Sequence, residues 1–148
     1  HVGEVARTES AALLHNRVAS ITAGRPAIVM GDFNARAAED SAPYLNLTVP
    51  GEDGDHPFLV DSWAWASGDE REQGEGTFHG FNGRVSRGRI DWILATGDFE
   101  GLDAGIDRRH EGGRYPSDHF PVWAVLRLES GAADEGAPGR LPAPELQR

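Results

Sequence analysis

The spacing of apolar residues changes along the chain, and each spacing names an element. In residues 3–22 no proline interrupts, Leu14, Val18 and Ile21 recur at helical intervals, and Gly24 follows as a stop. This predicts an amphipathic helix. Ala27-Ile28-Val29-Met30 is an unbroken apolar run closed by Gly31, as expected of a buried strand that delivers the next residues to a strand end. Pro43 lies near the start of a short helix ending about Leu47, 51–57 is a loop, 58–66 is read as a short helix, and 67–76 is a second solvated loop. Thr77-Phe78-His79, Arg89 to Ala95 and Pro121 to Leu128 read as strands, with a weaker strand within 99–108. From Glu129 onward glycine, alanine, proline and charge dominate, so 129–148 is expected to be a disordered tail. One main helix, several strands and polar motifs at strand ends predict an α/β or α+β layout.

Composition narrows the chemistry. A chain of 148 residues suits one domain with one sizeable core. No apolar run approaches the roughly 20 residues that span a bilayer. The absence of cysteine excludes disulfides, thiolate metal sites and thiol nucleophiles. There are 24 acidic residues against 14 basic ones, a net charge of −10, and every basic residue is arginine. Such a surface binds polyanions poorly in dilute salt, so any phosphate chemistry belongs in a local pocket. A genome rich in G and C accounts for the arginine; a halophilic origin is the sharper reading of the acidity. The chain opens on His1, its single methionine is Met30, and no leader pattern precedes the helix, so it reads as a piece of something longer. Nothing in it indicates a cellular location.

Four short polar clusters border the apolar runs: Gly31-Asp32-Phe33-Asn34, Gly76-Thr77-Phe78-His79, Arg89-Ile90-Asp91-Trp92 and Ser117-Asp118-His119-Phe120-Pro121. Each alone has a structural reading as a turn, a cap or a surface pair. Together they carry more. Asp91 interrupts an apolar strand, where an unanswered carboxylate costs several kcal/mol, so a histidine or a cation should answer it. Phosphoester hydrolysis needs a metal ion to offset phosphate charge, a group to activate water, and neutral donors for developing charge. Asp32 and Asp118 are hard oxygen ligands suited to Mg²⁺, Asn34 is a neutral donor, and His119 oriented by Asp91 is the acid–base candidate.

In these motifs the chain resembles the endonuclease/exonuclease/phosphatase superfamily, whose members include DNase I, abasic-site endonucleases, neutral sphingomyelinases and inositol polyphosphate 5-phosphatases. Val29 to Asn34, Gly88 to Leu94, Tyr115 to Val122 and Gly76 to Phe81 match its motifs in order and spacing, over roughly residues 1–128. The resemblance implies a four-layer αββα sandwich with the site at one rim of two packed sheets. It implies that Asp32 positions or activates water and that Asn34 binds the phosphate. Asp91 would orient His119, His119 would contact the phosphate, and Asp118 with Asp32 would hold Mg²⁺, with Mn²⁺ as the alternative. Thr77 and His79 would line the substrate cleft.

The family's domain is usually about 250 residues, near the upper end of ordinary domains. Its first half carries an asparagine, a glutamate metal ligand and a further histidine with no counterpart here. The expectation is therefore the C-terminal half of a divalent-metal-dependent phosphoester hydrolase, lacking its N-terminal half as a partner. The alternative is a non-catalytic remnant, or a binding module using an exposed Trp63 and Trp65. The substrate stays open among nucleic acid, phosphodiesters and phosphomonoesters. Arg84, Arg87, Arg89, Arg108, Arg109 and Arg114 flank the motifs, either as phosphate contacts or as ion-pair partners of the many carboxylates.

Overall fold

The computed structural model describes residues 3–50, 59–86 and 88–129. The predicted loop over 51–57 lies outside the described residues, as does the predicted tail apart from Glu129, whose amide donates to the Asp98 carbonyl. The first helix, α1, runs Glu4–Thr22 and stops where Ala23 and Gly24 take left-handed backbone angles, φ 49° and 81°. The Arg25 guanidinium donates to the carbonyls of Ile21 and Thr22 and so covers the helix end. Ala11 and Val18 are buried, but Ile21 is 70 % exposed. It is rotated about 60° from Val18, at the margin of a narrow apolar stripe. No helix of the described residues is long and apolar enough to cross a membrane.

Strand β1 (Ile28–Asp32) pairs antiparallel with β3 (Asp91–Ala95), and β2 (Val60–Asp61) flanks β3 on the other side, giving the order β1-β3-β2. The expectation of a buried strand at 27–30 is corrected here. Among the described residues β1 has one neighbour, as an edge strand does, and Ile28 and Met30 stand 42 and 67 % exposed while Val29 packs inward. Helix α2 (Ala42–Thr48) carries Pro43 in its first turn, where the missing amide costs nothing. Ala11 of α1, Leu47 of α2, Leu59, Trp92 and Leu94 form the first core. Phe33 stacks on Trp92 at 4.2 Å and Tyr44 meets the same ring edge-on at 5.1 Å. The alternation of β3 leaves Asp91 and Ile93 on the opposite face.

The second sheet pairs β4 (Phe99–Ile106) with β5 (Val122–Leu128) in antiparallel register, with an irregularity between Gly101 and Asp103. The strand expected to be weak is eight residues long. Glycines blur its apolar alternation, yet they are needed for packing. A Cβ at Gly101 would sit 1.7 Å from the Trp65 ring, and one at Gly105 2.6 Å from Trp123. Trp63 belongs to the second core with Ala66, Ala104, Ile106 and Phe120. Neither Trp63 nor Trp65 is a free platform, which corrects the binding-module reading of these two residues.

Three local expectations also change. Within the predicted helix over 58–66, the described residues 59–66 instead contain β2 and a 3₁₀ turn, Ser62–Trp65, because Asp61 caps the turn by accepting the Trp63 amide at 3.0 Å. The loop over 67–76 contains a short helix, α3 (Gly68–Glu72), opened by Ser67 accepting the Glu70 amide and by acidic residues in its first turn. Thr77-Phe78-His79 is no regular strand; it contributes one antiparallel bridge, Phe78 to His119.

Between the two cores lies a buried ion pair. Arg89 donates to both oxygens of Asp61 at 3.2 and 2.6 Å, with the side chains 4 and 7 % exposed. Tyr44 donates its hydroxyl to Asp61 at 2.9 Å, and the guanidinium lies 5.3 Å from the Trp63 ring. Burial, then the charge of Asp61, holds the Tyr44 phenol well above its ordinary range. Arg89 is thus committed to the interior and is not a phosphate contact. Removing one member strands the other, which costs about 3–5 kcal/mol. Arg89→Met and Asp61→Asn are each expected to lower the free energy of urea unfolding by that order, and a loss below about 1 kcal/mol would show the pair to be dispensable.

Candidate active site

Strand register brings the motifs together. Asp32 closes β1 and lies directly opposite Asp91, which opens β3. Beyond them the Phe33 amide donates to the Ile90 carbonyl and the Ala37 amide to the Arg89 carbonyl, so the segment after β1 stays zipped to the segment before β3. Asn34 adopts a left-handed conformation, φ 50°, which Asn tolerates better than most residues. That turn lets its backbone amide and its side-chain amide donate to the two oxygens of Asp32 at 2.8 and 3.0 Å. Asp32 and Asn34 are both exposed.

His119 arrives from the second sheet, three residues before β5. Its Nδ1 lies 2.8 Å from Asp91 Oδ2, with the two side chains 23 and 16 % exposed. The expected pair is therefore present in the structure. Its backbone amide donates to Ser117 Oγ at 3.1 Å, and the Phe78 ring meets the imidazole edge-on at 5.3 Å. Partial burial opposes protonation of the ring, but the hydrogen bond and charge of Asp91, with the charges of Asp32 and Asp118, outweigh it. The His119 pKa is held above its ordinary 6.5.

Asp32, Asp91 and His119 each offer a ligand atom within 4.8 Å of the others. Asp118, expected beside Asp32 as a ligand, is not in that set. It acts on His119 through its charge, and its carbonyl accepts the amides of His79 and Gly80 at 2.9 and 3.1 Å. Thr77 and His79 do not line a cleft: they are 0 and 3 % exposed. His79 stacks on Phe120 at 4.0 Å, and its Nδ1 accepts the Gly83 amide at 3.3 Å. A groove of about 720 Å³ runs between α1 and the outer side of β1, past Leu14, Val29 and Met30, and reaches Asp32 and Asn34.

The flanking arginines divide. Arg108 is held by Glu70 at 3.5 Å and by the Gly74 carbonyl, and Arg109 by Asp107, so these serve the fold or the surface. Arg84 and Arg114 are exposed; Arg87 lies outside the described residues.

A paired Asp–His opposite an Asp–Asn turn at one end of a sheet is what the four motifs imply, and comparison decides the family. The family model described as Endonuclease/Exonuclease/phosphatase matches residues 4–119. The chain belongs to this family. A family protein from Bacteroides vulgatus is 32% identical with a TM-score of 0.69, covering 87% of this chain and 46% of its own. One from Bacteroides thetaiotaomicron is 28% identical with a TM-score of 0.67, covering 88% and 46%. A third, a mannosyl-6-phosphatase of Bacteroides thetaiotaomicron, is 28% identical with a TM-score of 0.64, covering 86% and 48%. The chain thus spans just under half the length of these solved structures, and its fold is part of the DNase I-like sandwich. No match was found among curated proteins.

Two features escaped the reading of the sequence. Asp61 answers Arg89, although an acid at the end of the apolar run Phe58 to Val60 is the same signal that singled out Asp91. Phe78, passed over between two polar residues, packs its ring edge-on against His119.

The His119–Asp91 pair carries a pH signature. Because the folded-state pKa is raised, the stabilisation from protonated His119 is complete below about pH 6.5 and is lost as the pH rises through the folded value. In buffer containing a chelator, the stability gap between the parent chain and His119→Asn is expected to be widest on the acid side and to narrow toward alkaline pH. A gap that widens with rising pH would contradict the pairing.

Proposed function

We propose that the chain carries the reacting rim of a divalent-metal-dependent phosphoester hydrolase. The observation that carries this reading is the 2.8 Å bond between His119 and Asp91, opening beside Asp32 and Asn34 in a chain of this family. In this reading Asp32 positions and activates water, and the Asn34 amide binds a phosphoryl oxygen. Asp91 fixes the His119 ring, and the imidazolium faces the phosphate as acid or electrostatic partner.

The donor set fits a divalent ion in part. Asp32 is exposed and keeps lone pairs free beyond the two that Asn34 engages. Asp91 and His119 are largely committed to each other, while Asp118 adds charge. One available carboxylate leaves Mg²⁺ or Mn²⁺ with most of its water. Asp32 would hold the ion and Asp118 would favour it electrostatically; when bound, the ion offsets phosphate charge and acidifies its water. We propose that further oxygen ligands come from another polypeptide segment that continues the sheet beyond β1. Among the described residues β1 pairs only with β3, and the related structures are about twice as long.

The related mannosyl-6-phosphatase makes a sugar phosphomonoester the first substrate to try, alongside plasmid DNA and an inositol phosphate. With Mg²⁺ or Mn²⁺ present, slow release of phosphate or nicking of DNA is expected. Chelation should abolish it, and Asp32→Asn or His119→Asn should reduce it at least about 100-fold. Release indifferent to both substitutions would sink the assignment. No release from any of the three substrates would favour the non-catalytic alternative.

A further inference from the structure

Thr77 and His79 were expected to line the substrate cleft, and Thr77 instead sits fully buried between the two halves of the site. Thr77 Oγ1 accepts the amides of Ile90 and Asp91 at 3.1 and 3.3 Å. Its carbonyl accepts the Phe120 amide at 2.8 Å, and two residues on, the His79 amide donates to the Asp118 carbonyl at 2.9 Å. The backbone on both sides of His119 is thus tied to residues 77–79, and the same threonine ties that segment to the backbone of Asp91. The structure assigns Thr77 as the positioning residue that sets the distance between His119 and Asp91.

The assignment follows from what a hydroxyl does here and a methyl cannot. Thr and Val have nearly the same shape, so Val would fill the site. It would leave the two amides at the start of β3 without this acceptor, and buried amides do not stay unpaired. The local backbone would shift toward other acceptors. A histidine–carboxylate hydrogen bond tolerates displacement of only a few tenths of an ångström before it weakens. Groups that orient a functional side chain in this way commonly cost about 10- to 100-fold in activity when lost.

The test reads the bond itself in the full chain. A ring N–H shared with a carboxylate gives a strongly deshielded proton resonance, and Asp91→Asn, which removes the carboxylate, identifies it. Thr77→Val is expected to lose or broaden this resonance, while Thr77→Ser, which keeps the hydroxyl, retains it. If Thr77→Val keeps the resonance at parental intensity and lowers only the melting temperature, Thr77 is structural and the inference falls. Should Thr77→Val fail to fold, Thr77→Ala and Thr77→Ser carry the same comparison: loss in the first with retention in the second supports the assignment, and equal behaviour overturns it.

The consequence for turnover rests on the hydrolase reading, with an expected 10- to 100-fold fall in kcat at little changed KM, rescued by Thr77→Ser. A silent assay with the resonances behaving as expected would favour the non-catalytic alternative and leave the positioning role standing.

Discussion

The arrangement depends first on the buried pair of Arg89 and Asp61. Arg89 lies two residues before Asp91, which opens β3, and its carbonyl accepts both the Trp92 indole N–H and the Ala37 amide. Its guanidinium reaches across to Asp61, which also caps the turn at Trp63 and accepts the Tyr44 hydroxyl. One residue therefore fixes the start of β3 against α2, against the 3₁₀ turn and against the segment after β1. A buried ion pair is seldom a net source of stability compared with apolar packing. Its worth here is directional: bidentate geometry admits one placement of β3, where apolar packing alone would tolerate small slips.

From that placement the site follows by register. Asp32 and Asp91 face each other across two strands, and the side-chain alternation of β3 puts Asp91 on the face away from the Trp92 core. The second sheet then contributes His119 through a single bridge to Phe78 instead of a long ladder. The hydrogen bonds of Thr77, with those of the His79 and Gly80 amides to the Asp118 carbonyl, carry that join.

Much of this was legible in the residues because the signals were local. The helix over 3–22 and the strands at 89–95 and 121–128 followed from apolar spacing, although β3 begins only at Asp91, and the carboxylate in an apolar strand called for a partner that the family resemblance named as His119. What failed depended on neighbours distant in sequence. Whether Ile28 and Met30 are covered depends on β1 being an edge, which its own composition does not state. Gly101 and Gly105 argue against a strand until the rings of Trp65 and Trp123 are seen to occupy their missing side chains. Arg89 looks the same in sequence as Arg84, and only the presence of Asp61 separates an interior ion pair from a surface charge.

The charge balance of the rim makes a last connection between fold and chemistry. Asp32, Asp91 and Asp118 all lie near enough to His119 to raise its pKa, so three carboxylates meet one imidazole. A phosphate ester brings further negative charge to a chain whose net charge is already −10. Such a rim admits an anion only where that repulsion is offset locally, since screening by salt acts over about 10 Å and weakly inside a partly buried site. Two offsets are consistent with the residues present: the imidazolium that the carboxylates themselves favour, and a divalent cation at Asp32. The proposed hydrolase needs both, because the imidazolium balances Asp91 and leaves Asp32 and Asp118 uncompensated. In the proposed hydrolase, the carboxylates that repel a bare phosphate would thus be the groups that draw in a cation able to bind it.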